Sequence, residues 1–142
     1  NMQYKRFDDK IFARIDPGEE ILQQLSFIAE KEQISLAHVT GLGAVNDFTT
    51  GVFDVQKKEF YPVNTTGSYE IVSLTGTITE KENKPYLHIH MSAGNKEGNV
   101  IGGHLNRAVV SATAELVIDI VNGKIGRRFS EEIGLNLFDF SV

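Results

Sequence analysis

From Ala108 to Val121 the chain alternates with a period of two over fourteen residues. Val110, Ala112, Ala114, Leu116, Ile118 and Ile120 form one row, and Val109, Ser111, Thr113, Glu115, Val117 and Asp119 form the other. A helix repeats every 3.6 residues, whereas an extended strand puts residues i, i+2 and i+4 on one side. The run is therefore a long strand. Both rows carry apolar residues, as expected where neither face is fully solvated.

Most of the remaining chain reads the same way. Lys10–Ile15 alternates as a first strand, and Ser35–Thr40 follows the same period until Gly41-Leu42-Gly43-Ala44 interrupts it. Gly41-x-Gly43 opens no helix and lacks a third glycine, so it reads as a bend or bulge and not as a dinucleotide fingerprint. Strands are predicted at 48–55, 59–63 and 69–79, with turns at 56–58 and 64–68, and short turns of this kind imply antiparallel neighbours. The aromatics Phe53, Phe60, Tyr61 and Tyr69 fit core and cross-strand pairs better than base-stacking platforms. Residues 80–84 form a further turn. Asn122-Gly123 is a two-residue hairpin signal leading into 125–129, and 135–140 is a final apolar strand.

One helix interrupts this pattern. Asp16 suits an N-cap, Pro17 the first helical position, and Glu19 completes an Asp-x-x-Glu capping box. Ile21, Leu22, Leu25, Ile28 and Ala29 follow at spacings of three and four, so an amphipathic helix is predicted over about 17–31. Glu19, Glu20, Gln23, Gln24 and Glu30 form its wet face. The expected fold class is α+β: a mostly antiparallel sheet with this helix packed on it.

The chemistry concentrates between Pro85 and Leu105. Tyr86–Met91 reads as a strand, which turns His88 and His90 to one face about 6.6–6.8 Å apart at Cα. The polar turn 94–99 reverses the chain, Val100-Ile101 begin the return, and Gly102-Gly103 deliver His104. Three neutral imidazoles with an open position form a catalytic-type zinc geometry. The bland alternative is a polar strand face whose rings bond their neighbours. His38 lies far away in sequence and reads as an ordinary strand histidine. Glu115 has three readings: a partner of an imidazole, a fourth ligand, or a solvated ion-pairing side chain.

Composition limits the function classes. The 142 residues fit one domain, placed at 2–142 because Asn1 ahead of Met2 reads as a tag remnant. There is no apolar run near the ~20 residues of a membrane span and no signal-peptide pattern. Zero cysteines exclude disulfides and thiolate ligands and accord with a reducing cytoplasm. A net charge of −5, with no basic cluster beyond Lys57-Lys58 and Arg127-Arg128, argues against phosphate-backbone contacts.

The histidines and Gly102-Gly103-His104-Leu105 complete an ordered set of short motifs. The others are Pro17-Gly18-Glu19-Glu20, Gly41-Leu42-Gly43-Ala44-Val45, Leu74-Thr75-Gly76-Thr77-Ile78, Leu87-His88-Ile89-His90, Val100-Ile101 and Ala114-Glu115-Leu116-Val117-Ile118. In this set the chain resembles the PPC (plants and prokaryotes conserved) domain over nearly its whole length. The resemblance implies a compact domain that assembles as a homotrimer, with a metal ion at His88, His90 and His104. It also carries a DNA-binding label, because plant members place the domain beside AT-hooks; here no Arg-Gly-Arg segment occurs. No reaction comes with the family. The expectation is a cytoplasmic trimer holding zinc. The rivals are a zinc enzyme activating water, with Glu115 as its only candidate base, a DNA-associated regulator, and an interaction module with structural histidines.

Overall fold

Antiparallel pairing dominates the computed structural model, which describes residues 1–142. The elements are β1 (Gln3–Phe7), β2 (Lys10–Ile15), α1 (Ile21–Lys31), β3 (Ala37–Asp54), β4 (Glu59–Lys81), β5 (Lys84–Gly94), β6 (Val100–Ile120), β7 (Gly126–Ser130) and β8 (Leu135–Asp139). The main sheet runs β1-β2-β6-β3-β4-β5, and a further pairing of β5 with β6 joins β3, β4, β5 and β6 into a ring. β7 and β8 form a separate hairpin. No helix is long and apolar enough to cross a membrane.

The predicted long strand is the second part of β6, and its rows separate except at Ala112: Val110, Ala114, Leu116 and Ile118 are buried, Ser111, Val117 and Asp119 are half-buried, and Ala112 of the inward row is exposed. The buried row joins a core of 24 residues that includes Ile11, Ile15, Val39, Phe48, Leu74, Ile78, Ile89 and Met91. Helix α1 covers this core with Ile21, Leu25, Ile28 and Ala29, all 0% exposed. Eleven residues are too few for a helix to persist alone in water. Burial of its three large side chains, at about 1.5–3 kcal/mol each, is what holds it.

The helix starts at Ile21, four residues later than the sequence predicts. Gly18 takes φ +87°, a left-handed conformation that cannot continue a helix. Its N–H donates to Val110 O and Val110 N–H donates to Glu19 O, so this segment pairs with β6. Glu19 still bonds back to Asp16 N–H, at 2.8 Å, but within a turn. Glu20 is the true cap: its carboxylate accepts from Leu22 N–H and Gln23 N–H at 3.0 Å, and from Ala108 N–H on β6 at 2.9 Å. One side chain thus caps the helix and ties it to the sheet.

The strands also differ from the expected pattern. The segments predicted at 35–40 and 48–55 are one strand, β3, and the bulge read at Gly41-x-Gly43 is present as shifts of register within it. Those at 59–63 and 69–79 are likewise one strand, because Thr65 and Thr66 keep pairing with Phe48 and Asp47 where a turn is predicted. Asn122-Gly123 does not return the chain along β6; β7 pairs with β8 instead. β1, which the sequence does not single out, pairs with β2 through a turn with Asp8 at φ 56°.

Candidate metal centre

β5 and β6 place the three histidines. The hairpin register sets Gly94 opposite Val100 and, four steps further, His90 directly opposite His104. His88 precedes His90 by two residues and shares its face. Ile89 and Met91 point the other way into the core, so burial of one row fixes the orientation of the histidine row. Asn95 closes the turn by accepting from Glu97 N–H and Asn99 N–H. Gly102-Gly103 are not part of a turn; they lie within β6 opposite Ser92 and Met91. A side chain at Gly103, where φ is +155°, would place its Cβ 2.5 Å from Gly51 O. Glycine there lets β6 approach β3 while presenting His104.

The ligand nitrogens of His88, His90 and His104 all lie within 4.8 Å of one another, and no other histidine or acidic group of the chain forms such a cluster. Nitrogens this close share a point within about 2.8 Å of each (4.8/√3). His88 Nε2 and His90 Nε2 are 3.3 Å apart. A tetrahedral ion with Zn–N of about 2.0–2.1 Å sets its ligand nitrogens about 3.3–3.4 Å apart, so two rings already have that spacing. Burial, then the charges of His104, His90 and Arg127, pull His88 from its ordinary value down to about 4. Burial and the charge of His90 lower His104 as well. Both rings are therefore neutral at pH 7, the form that donates a lone pair to a metal. The donor set fits a transition metal held by nitrogen.

The surroundings are short on negative charge. Thr75 and Thr77 on β4 stand opposite His90 and His88. His38, expected to be an ordinary strand histidine, bonds Thr75 Oγ1 through Nε2 at 3.2 Å and stays out of the cluster. Phe60 packs edge-on against His104, with ring centroids 5.6 Å apart. A shallow depression of about 160 Å³ beside His90 is lined by Ser73, Thr75, Ser92 and Gly103. Glu115 does not belong here. It lies eleven residues beyond His104 on β6, about 35 Å of strand rise, and pairs with Arg14 and Leu42. The candidate general base, imidazole partner or fourth ligand is thus removed by the length of the strand.

Arg127 is the residue that sequence reasoning missed. The β7–β8 hairpin lays its guanidinium over the Tyr86 ring at 4.6 Å and the Phe138 ring at 4.7 Å. Nε–H donates to Thr79 Oγ1 at 2.9 Å and an Nη–H to Asn136 O at 3.1 Å. The sequence shows only a pair of arginines, and nothing local signals that one folds back toward the histidine strand.

A family model for the Plants and Prokaryotes Conserved (PCC) domain matches residues 2–122. Among solved structures, a metal-containing protein from Archaeoglobus fulgidus is 32% identical over 97% of both chains, with a TM-score of 0.85. A plant- and prokaryote-conserved protein from Pyrococcus horikoshii is also 32% identical, covering 98% of this chain and 94% of its own, with a TM-score of 0.85. A protein from Bacteroides thetaiotaomicron, provisionally described as DNA-binding, is 27% identical over 99% of both chains, with a TM-score of 0.96. No curated protein matches the chain.

Proposed function

The chain belongs to the Plants and Prokaryotes Conserved domain family, and from that premise we propose that it is a homotrimeric metal-binding protein. His88, His90 and His104 hold one Zn²⁺ and leave its fourth position to water or a small ligand. The observation that carries this is the convergence of three ligand nitrogens within 4.8 Å, two of them at tetrahedral spacing. The metal-containing relative from Archaeoglobus fulgidus supports it. Nitrogen-only ligands also suit Ni, Cu or Fe, and zinc is chosen because three imidazoles with an open position form one of its common geometries. Bound zinc supplies Lewis acidity at its open position. With Glu115 remote, no carboxylate of this chain is placed to move a proton there, so the site is read as one that binds and not as a hydrolytic centre.

The trimer is supported by exposed apolar surface. Seventeen large hydrophobic side chains are exposed, among them Phe12 at 54% and Leu42 at 57% on the sheet face away from α1. Such surface marks interfaces. Direct DNA binding is set aside, because the net charge is −5 and no AT-hook is present. The cytoplasm is the proposed location, in keeping with the absence of cysteine.

The test is His90→Ala. Its ring is exposed and the core lies on the opposite face, so the variant keeps its fold and loses stoichiometric zinc on elemental analysis. Full retention of zinc by this variant would overturn the assignment.

A further inference from the structure

We infer that Arg127 forms an anion subsite beside the metal position, so that the centre takes a small organic anion bearing a second oxygen donor. The inference rests on the reading of His88, His90 and His104 as a metal site. Three neutral imidazoles leave a divalent ion with its full charge, and the cluster contains no carboxylate. Arg127 adds a second positive charge nearby. It is half-buried, and none of the chain's ion pairs involves it. Its hydrogen-bond partners, Thr79, Asn136 and the more distant Thr77, are all neutral. A half-buried guanidinium without a carboxylate, next to a cation site without a carboxylate, is a charge arrangement that an anionic ligand completes.

The geometry also sets the ligand's size. Arg127 stacks over Tyr86, which precedes His88 by two residues on β5. One same-face step is about 6.6–6.8 Å. A ligand that puts one oxygen on the ion and a carboxylate on the planar guanidinium fork therefore spans a few bonds, as a short dicarboxylate does. Thr77 stands opposite His88 in the register of β4 with β5, and its Oγ1 accepts from an Arg127 Nη–H at 3.5 Å.

Protein loaded with one equivalent of Co²⁺ is titrated with succinate, followed through the visible bands of the ion, with neutral succinamide as control. The expected result is a saturable spectral change with succinate and none with succinamide. Arg127→Met should raise the succinate midpoint at least tenfold while Co²⁺ affinity stays within twofold. Arg127→Lys, which keeps the charge but loses the fork, should fall between and serves if the Met variant misfolds. An unchanged midpoint in a Co²⁺-loaded Arg127 variant, or an equal response to succinamide, overturns the subsite and leaves the metal reading standing. Failure of the unsubstituted protein to take up Co²⁺ overturns both.

Discussion

Replacing Gly103 by alanine should uncouple the third histidine from the other two. The new Cβ would sit 2.5 Å from Gly51 O, 3.2 Å from Gly51 C and 3.3 Å from Gly51 N. Ordinary contact begins near 3.4 Å, so β6 must withdraw from β3 by about 0.9 Å (3.4 − 2.5). Neither neighbour can yield by rotating a side chain, because the obstructing atoms are backbone. Overpacking of this kind costs about 1–3 kcal/mol, and the φ of +155° adds about 1–3 kcal/mol for a residue with a side chain. A combined loss of about 2–6 kcal/mol is a large share of the 5–15 kcal/mol typical of a domain. The functional effect comes from the same displacement. His104 is the next residue, and metal–nitrogen distances tolerate only about 0.2 Å. Zinc affinity should therefore fall at least tenfold, as measured by competition with a chromophoric chelator at a temperature where the variant is folded by circular dichroism. Gly123→Ala is the control, since its Cβ would meet nothing closer than 3.5 Å. A Gly103→Ala protein that melts and binds zinc like the unsubstituted one would show that the Gly51 backbone does not restrict this position.

Three further outcomes are expected. Glu20→Ala removes an acceptor shared by Leu22, Gln23 and Ala108 N–H groups, and chemical denaturation should show a loss of about 2–4 kcal/mol, with Glu20→Gln milder because one oxygen remains. The folded-state pKa of His88 lies below its unfolded value of 6.5, so its share of metal-free stability is fully present above pH 6.5 and declines as pH falls through 6.5 toward about 4; melting curves across that window should show it, and His88→Gln should flatten the dependence. Light scattering coupled to gel filtration should give about three times 15.8 kDa at micromolar concentration, and a clean monomer would contradict the proposed trimer.

What the sequence made legible follows from which interactions are local. The body of α1 was readable because Ile21, Leu25 and Ile28 repeat at helical spacing, and its burial needs no more than that pattern. Its start was not, because Asp16-Pro17-Gly18-Glu19 carries cap chemistry that β6 overrides by pairing with Gly18 and Glu19. The bulge at Gly41-x-Gly43 was legible because paired glycines commonly mark one, whereas 64–68 reads as a turn because glycine and small polar residues usually end strands. In the fold 64–68 too is a point where a long strand keeps its partner. The convergence of His88, His90 and His104 was legible because a single hairpin fixes it: a turn centred on 95–99 puts His90 against His104. Glu115 seemed near only while the length of β6 was unknown. Arg127 was illegible because its place depends on a hairpin docking through contacts with Tyr86 and Phe138.

Three imidazoles of one chain, on the proposed reading, hold one ion. X-ray absorption at the zinc edge tests it most directly, on protein purified without a nickel column, loaded with one equivalent of Zn²⁺ and freed of loose metal by gel filtration. The expected result is one zinc per chain with three imidazole nitrogens at about 2.0–2.1 Å and a fourth light ligand. Zinc that washes away, or zinc bound with fewer than three imidazoles, would contradict it.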